Sequence, residues 1–323
     1  MNSRPWSLIA FFLCAVGLSV PHSGAEDLSA LVQAVSANDT NTVQSLISKG
    51  ANVNQRFGKM GETVLFRAAL WGRYEAAALL LGAGADLSVT NKWGNTPFQI
   101  AASRGHRAVA ELLLGKEMDF DARDALGRTA LLMAAAEGSE EAALWLLGIG
   151  ADPNVQANNN GETVMFHAAL NGNAKLAKAL IDKRVRPDCK GREGWSPLHA
   201  AVMRGDTNIV SLLIGGGCAV DSMDERGFTP LLLGVHQGLG DQTAIVDVLV
   251  SAGADVKKRD RNGNSVLDLG ERRLQKAEKE DRGTRETRAA NVNTAKALLG
   301  KIAHYYEQQQ GSDKKQSSAP RGQ

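Results

Sequence analysis

Catalysis needs side chains that titrate, attack or ligate, and this chain of 323 residues is sparing with them. It carries six histidines and three cysteines. His167 and His236 stand isolated in sequence and read as surface or inner-helix residues. No Cys/His cluster has the spacing that holds zinc. Gly215-Gly216-Gly217 could cradle a phosphate, but no Gly-Lys-Ser/Thr follows it, so it reads as a turn. No serine or cysteine has an identifiable base, and the charged run Glu271 to Arg288 offers interspersed charges rather than a paired acid and base. The expectation is no enzyme: no catalytic residue, no metal and no cofactor. Cys189 and Cys218 flank one segment; a disulfide between them and two half-buried thiols both stand open, because sequence does not say whether their Cα atoms come within about 7 Å.

The elements that would position such groups are regular. Ser196-Pro197 opens a helix, with a hydroxyl cap and proline at the first helical position. Leu198, Ala200 and Ala201 form its slim apolar face, and Gly205 ends it. A second helix follows with Ile209, Val210, Leu212, Leu213 and Ile214 at helical spacing. Two such helices cannot bury both faces alone, so the unit needs neighbours. The glycine before the Thr/Ser-Pro position recurs at Gly61, Gly94, Gly127, Gly161, Gly194, Gly227 and Gly263, with gaps of 33 or 34 residues and a last gap of 36. The motif stands as Thr96-Pro97-Phe98-Gln99, Thr129-Ala130-Leu131-Leu132 and Thr229-Pro230-Leu231-Leu232, with looser copies at Thr63-Val64-Leu65-Phe66 and Thr163-Val164-Met165-Phe166.

A period of about 33 with a T-P-L-H-x-A core resembles the ankyrin repeat, over roughly residues 27 to 300. The resemblance implies an all-α solenoid of about eight helix-turn-helix units with short β-hairpin turns, residues 26–308, with capping units at both ends and the charged insertion 271–288 in the last. It also implies that His199, at the histidine of the motif, bonds backbone in the neighbouring turn, and that His106 serves likewise where the second helix opens. Partners of this family dock on the concave face made by hairpin tips and inner helices. Those positions here are Trp71, Lys92, Trp93, Arg104, Arg192, Trp195, Arg204, Arg226 and Phe228. Tryptophan and arginine are the residues most enriched among binding hot spots. Trp145, inside Leu144-Trp145-Leu146-Leu147, reads as core.

Residues 1–25 read as a signal peptide: Arg4, an apolar stretch Leu8 to Val20 shorter than the ~20 residues a bilayer requires, Pro21, then Ser23-Gly24-Ala25. The predicted product is exported, periplasmic first and secreted second, with no stable membrane insertion after cleavage. With 37 basic and 35 acidic residues the chain has no general attraction to nucleic acid. Residues 309–323 lack packing apolar groups and are expected to be a disordered tail. The expected product is a monomeric, non-catalytic adaptor for another protein. It is similar to exported bacterial ankyrin proteins, some of which support a periplasmic catalase in peroxide defence and others of which neutralise a secreted toxin. A host-directed secreted effector is the further alternative.

Overall fold

The protein, seen in a computed structural model, is described over residues 24–114, 119, 121–158, 160–237, 242–279 and 285–317. Sixteen α-helices in eight consecutive pairs fill these residues. They are α1 (Gly24–Ala37) and α2 (Thr40–Ser48), α3 (Val64–Leu70) and α4 (Tyr74–Gly82), α5 (Pro97–Ser103) and α6 (Arg107–Leu113), and α7 (Ala130–Ala136) with α8 (Glu140–Gly148). Then come α9 (Val164–Asn171) and α10 (Ala174–Asp182), α11 (Pro197–Arg204) and α12 (Thr207–Gly215), α13 (Pro230–Gln237) and α14 (Thr243–Ser251), and α15 (Val266–Lys279) with α16 (Arg285–Ser317).

Local chemistry sets each boundary. The hydroxyls of Thr63, Thr96, Thr129, Thr163, Ser196 and Thr229 accept a hydrogen bond from the backbone N–H three residues on, at 3.2–3.4 Å. That satisfies one of the donors a helix start leaves unpaired. Gly172 and Gly205 end α9 and α11 with φ of 80° and 84°, a region closed to most side chains. Leu65, Leu80, Leu131, Leu146, Leu180 and Leu198 are fully buried, and one hydrophobic core runs continuously through the array.

The fingers between pairs depend on a side chain that bends the backbone. Asn91, Asp124, Asp224 and Asp260 each accept, through Oδ1, from the N–H groups two and four residues on. Neighbouring fingers then join: Lys92 N–H donates to Met60 O, Ala125 to Trp93 O, Asn158 to Leu126 O, Glu225 to Glu193 O and Arg261 to Arg226 O. Instead of hairpins with ladders, the turns hold single antiparallel bridges, at Phe57–Glu62, Gln156–Thr163 and Arg259–Ser265, and no strand occurs among the described residues. Fingers this short close after one bonded pair.

The ends differ from expectation in one respect. Of the segment read as a signal peptide, 1–23 lie outside the described residues, and Gly24 and Ala25 begin α1. The charged run from Glu271 continues α15 as far as Lys279. Residues 309–317, expected to be disordered, are helical in α16, while 318–323 lie outside the described residues. Gln309 is tied down, its Nε2 donating to Ala254 O at 2.9 Å and its carbonyl accepting from Lys257 Nζ at 3.1 Å. Glutamine and lysine are good helix formers, so a helix anchored by Leu298 and Ile302 runs on without needing an apolar residue at every turn.

Candidate protein-binding face

The inner helices and finger tips carry the residues that the repeat leaves free of core duty. Trp71 ends α3 and is 51% exposed; Trp93, at the tip of the finger between α4 and α5, is 49% exposed. Lys92 lays its ammonium 5.3 Å from the Trp93 ring centroid, a cation–π contact that holds the indole outward. Arg104, Arg192, Arg204 and Arg226 are also exposed. Arg204 has a second duty: its guanidinium donates to Leu170 O at 3.4 Å, across the C-terminus of the preceding inner helix. Asn171 Nδ2 and Arg273 do the same for Ala135 O and for Gly234 and Val235 O.

Trp195 and Phe228 are corrections. Phe228 is 6% exposed, stacked on His236 at 5.3 Å with the Arg226 guanidinium 5.4 Å from its ring centroid. Trp195 is half-buried against the core, with its indole nitrogen enclosed. Both immediately precede the capping Thr or Ser. The chain must pass under the finger there to enter the helix, so the side chain turns inward; Asn95 and Asn264, at the same place in other units, are buried too.

Several residues escaped the sequence reading. Leu126, at the tip one repeat after Trp93, is 41% exposed, and Leu170, one repeat before Met203, is 38% exposed. Adding one period to Trp93 points to Leu126 directly. Phe66, Ile100 and Met133, from α3, α5 and α7, form a cluster separate from the main core, with Leu70 packed on it. The inner face of these three units thus has an apolar floor and two exposed indoles near it in sequence.

The histidines serve structure. His199 Nε2 meets Phe228 O at 3.0 Å, Nδ1 lies 2.8 Å from Ser196 Oγ, and His106 Nε2 meets Leu70 O at 3.2 Å. Burial pushes the His199 pKa down, so the ring resists protonation. The sign follows: a base with a depressed folded pKa contributes stability above its ordinary value near 6.5 that is lost as pH falls towards the folded value. Gln99 holds the same station in α5, accepting from Thr96 N–H at 2.8 Å and donating to Ala122 O at 2.7 Å. His199→Gln is therefore expected to preserve the melting temperature at pH 7.5 and to lose less than the parent at pH 5. Equal acid losses in parent and variant would refute the assignment. His167 pairs with Glu162 at 3.1 Å, as Arg67 pairs with Glu62 at 3.2 Å three repeats earlier.

Both described cysteines are free. Cys218 is buried, points its thiol at Pro187 O at 3.2 Å, and has its pKa pushed up to about 12 by burial. Iodoacetamide at pH 8 is expected to label half-buried Cys189 and spare Cys218 in the native protein, read by peptide mass spectrometry; protection of both would indicate a bridge. Among the described residues no group of three or more His, Cys, Asp or Glu converges as a metal site, and no helix is long and apolar enough to cross a membrane.

Stacked two-helix units with a shared face of exposed indoles and guanidiniums define a binding solenoid, one whose repeats serve protein–protein interaction. The ankyrin-repeat family profile matches in three copies, over residues 7–91, 79–157 and 165–260, and the chain belongs to that family. It is 28% identical over 123 residues to E3 ubiquitin-protein ligase KEG of Arabidopsis thaliana, covering 37% of this chain and 8% of that one. It is 34% identical over 107 residues to Neurogenic locus notch homolog protein 4 of Homo sapiens, 33% of this chain and 5% of that one. Ankyrin repeat domain-containing protein 63 of Mus musculus is 34% identical over 113 residues, 33% of this chain and 28% of that one. The chain spans less than a third of the length of each of these relatives.

Proposed function

We propose that the protein is an exported, non-catalytic adaptor that holds another protein against the inner face of its repeats. The observation that carries this is Trp71 and Trp93, two indoles left about half in water, Trp71 next in sequence to Leu70 of the apolar cluster. Burying the exposed half of one indole, about 120 Å², would contribute about 3 kcal/mol at ~25 cal/mol/Å². Export is supported by the charge and apolar pattern of residues 1–25. By resemblance to exported bacterial ankyrin proteins, the client is a periplasmic enzyme such as a catalase. Affinity capture of the tagged protein from an envelope fraction, with mass spectrometry of what co-purifies, tests both parts. One stoichiometric client supports the adaptor, and its chemistry separates an enzyme from a toxin held inactive. Recovery of the protein only from the medium would favour a released effector, and recovery only from the cytosol would overturn export.

A further inference from the structure

The inner face is sorted along the solenoid. In the units of α3, α5 and α7 its tips and helix ends carry the apolar groups Leu70 and Trp71, Trp93, and Leu126 beside Ala125 and Ala136, with Lys92, Arg104 and Glu137 as the charges among them. In the units of α11, α13 and α15 the corresponding places hold mostly arginine: Arg192, Arg226 and Arg261 at the tips, Arg204 at the end of α11 and Arg272 and Arg273 in α15, with His236 and Gln237 at the end of α13. Glu193 and Glu225 oppose them at those places, and Arg226 is met by two carboxylates, Glu193 and the buried Asp224, each at 3.7 Å. His236 sits among these cations; burial first and the field of Arg226 next hold its pKa down, opposed by Asp260, with Arg272 and Lys276 adding to the depression. Arg272, Gln275, Lys276 and Lys279 line an adjoining shallow groove of about 390 Å³.

The compensating carboxylates lie elsewhere. Asp86, Asp152, Asp188, Asp221 and Asp255 recur in the turns after the outer helices, and their loops tie together, as where Asp255 N–H donates to Asp221 at 3.2 Å. The near-zero net charge of +2 therefore conceals a basic inner face and an acidic turn row. Arginine's planar fork matches carboxylates two bonds at a time, which a general positive field does not require.

Resting on the reading that the inner face is the docking surface, we infer that its occupant is an extended acidic polypeptide segment, apolar or aromatic at one end and rich in Asp and Glu at the other. The apolar end lies against Trp71, Trp93 and Leu126, and the carboxylates lie against Arg192, Arg261 and Arg272. Seven inner helices from α3 to α15, spaced ~9 Å apart, cover about 54 Å. An extended chain at ~3.3 Å per residue covers that length with about 16 residues. A single-stranded nucleic acid fits less well, because it needs exposed aromatic faces among the basic groups, and the aromatics beside the arginines, Trp195 and Phe228, are turned inward.

The test is fluorescence anisotropy with the full chain and labelled peptides of about 16 residues, the length set above. One peptide carries a Trp/Leu half followed by a Glu half, a second reverses the order, a third scrambles the same composition, and an oligothymidylate of equal length is the nucleic-acid probe. One block peptide is expected to bind about tenfold or more tighter than the scrambled one. Arg192→Glu/Arg261→Glu/Arg272→Glu is expected to weaken it about tenfold and flatten its salt dependence, while Trp71→Ala/Trp93→Ala weakens it with the salt dependence kept. Circular dichroism of each variant checks that the helices persist. Equal binding of block and scrambled peptides, tighter binding of the oligothymidylate, or indifference to the arginine reversals would each overturn the inference. Loss of a captured client in the tryptophan variant alongside any of these would leave the adaptor standing and remove only its acidic occupant.

Discussion

Replacing both Trp71 and Trp93 by alanine is expected to weaken the captured partner by about 6 kcal/mol, twice the value for one indole and a loss on the order of ten-thousandfold. The melting temperature should move by less than about 2 °C, because the folded chain gains little from side chains half in solvent. Isothermal titration against the purified partner, with a thermal melt beside it, gives both numbers. Unchanged affinity would remove the indoles from the interface, and a collapsed melt would make them structural. Trp195 is left out of the variant on purpose. It packs on the core, so its loss would lower stability and affinity together and separate nothing.

Leu131→Ala is expected to cost about 3 kcal/mol of folding stability, within the 2–5 kcal/mol typical of emptying a fully buried leucine site. Leu131 lies in the first turn of α7, with repeats on both sides, so neither neighbour can collapse into the void without giving up its own packing. A urea titration followed by circular dichroism measures it. A loss under about 1 kcal/mol would mean that adjacent repeats re-pack freely, contrary to a close-packed array.

The period and the caps were legible because they are local: hydroxyl, proline and glycine at fixed offsets dictate where each helix starts and stops. The exposed positions Lys92, Trp93 and Trp71 followed from the same arithmetic. Phe228 and Trp195 did not, because two residues past the exposed tip position the chain already turns its side chain inward, as Trp93 and Asn95 show, and a repeat motif read linearly does not carry that reversal. Leu126 was reachable by period alone, whereas the cluster of Phe66, Ile100 and Met133 joins two different motif positions and becomes visible only once the helices stack. The helical course of residues 309–317 was hidden because it depends on Gln309 meeting Ala254, a contact 55 residues distant.

The two look-alike units carry a consequence for how this chain could change in length. Glu62 with Arg67 and Glu162 with His167 occupy matching places three repeats apart, and each unit bonds to the fingers and helix ends of its immediate neighbours. A recombination joining the codon of Met60 to that of Gly161 would delete three units and bring together surfaces that already recognise each other's kind. The gene can therefore be lengthened or shortened in blocks while the seam stays closed. What each such event alters is the order of groups along the inner face: removing these three units would discard Trp71, Trp93, Leu126, Lys92 and Arg104 and leave Arg192, Arg204, Arg226, Arg261 and Arg272 in place, a heritable change of client at little cost in fold.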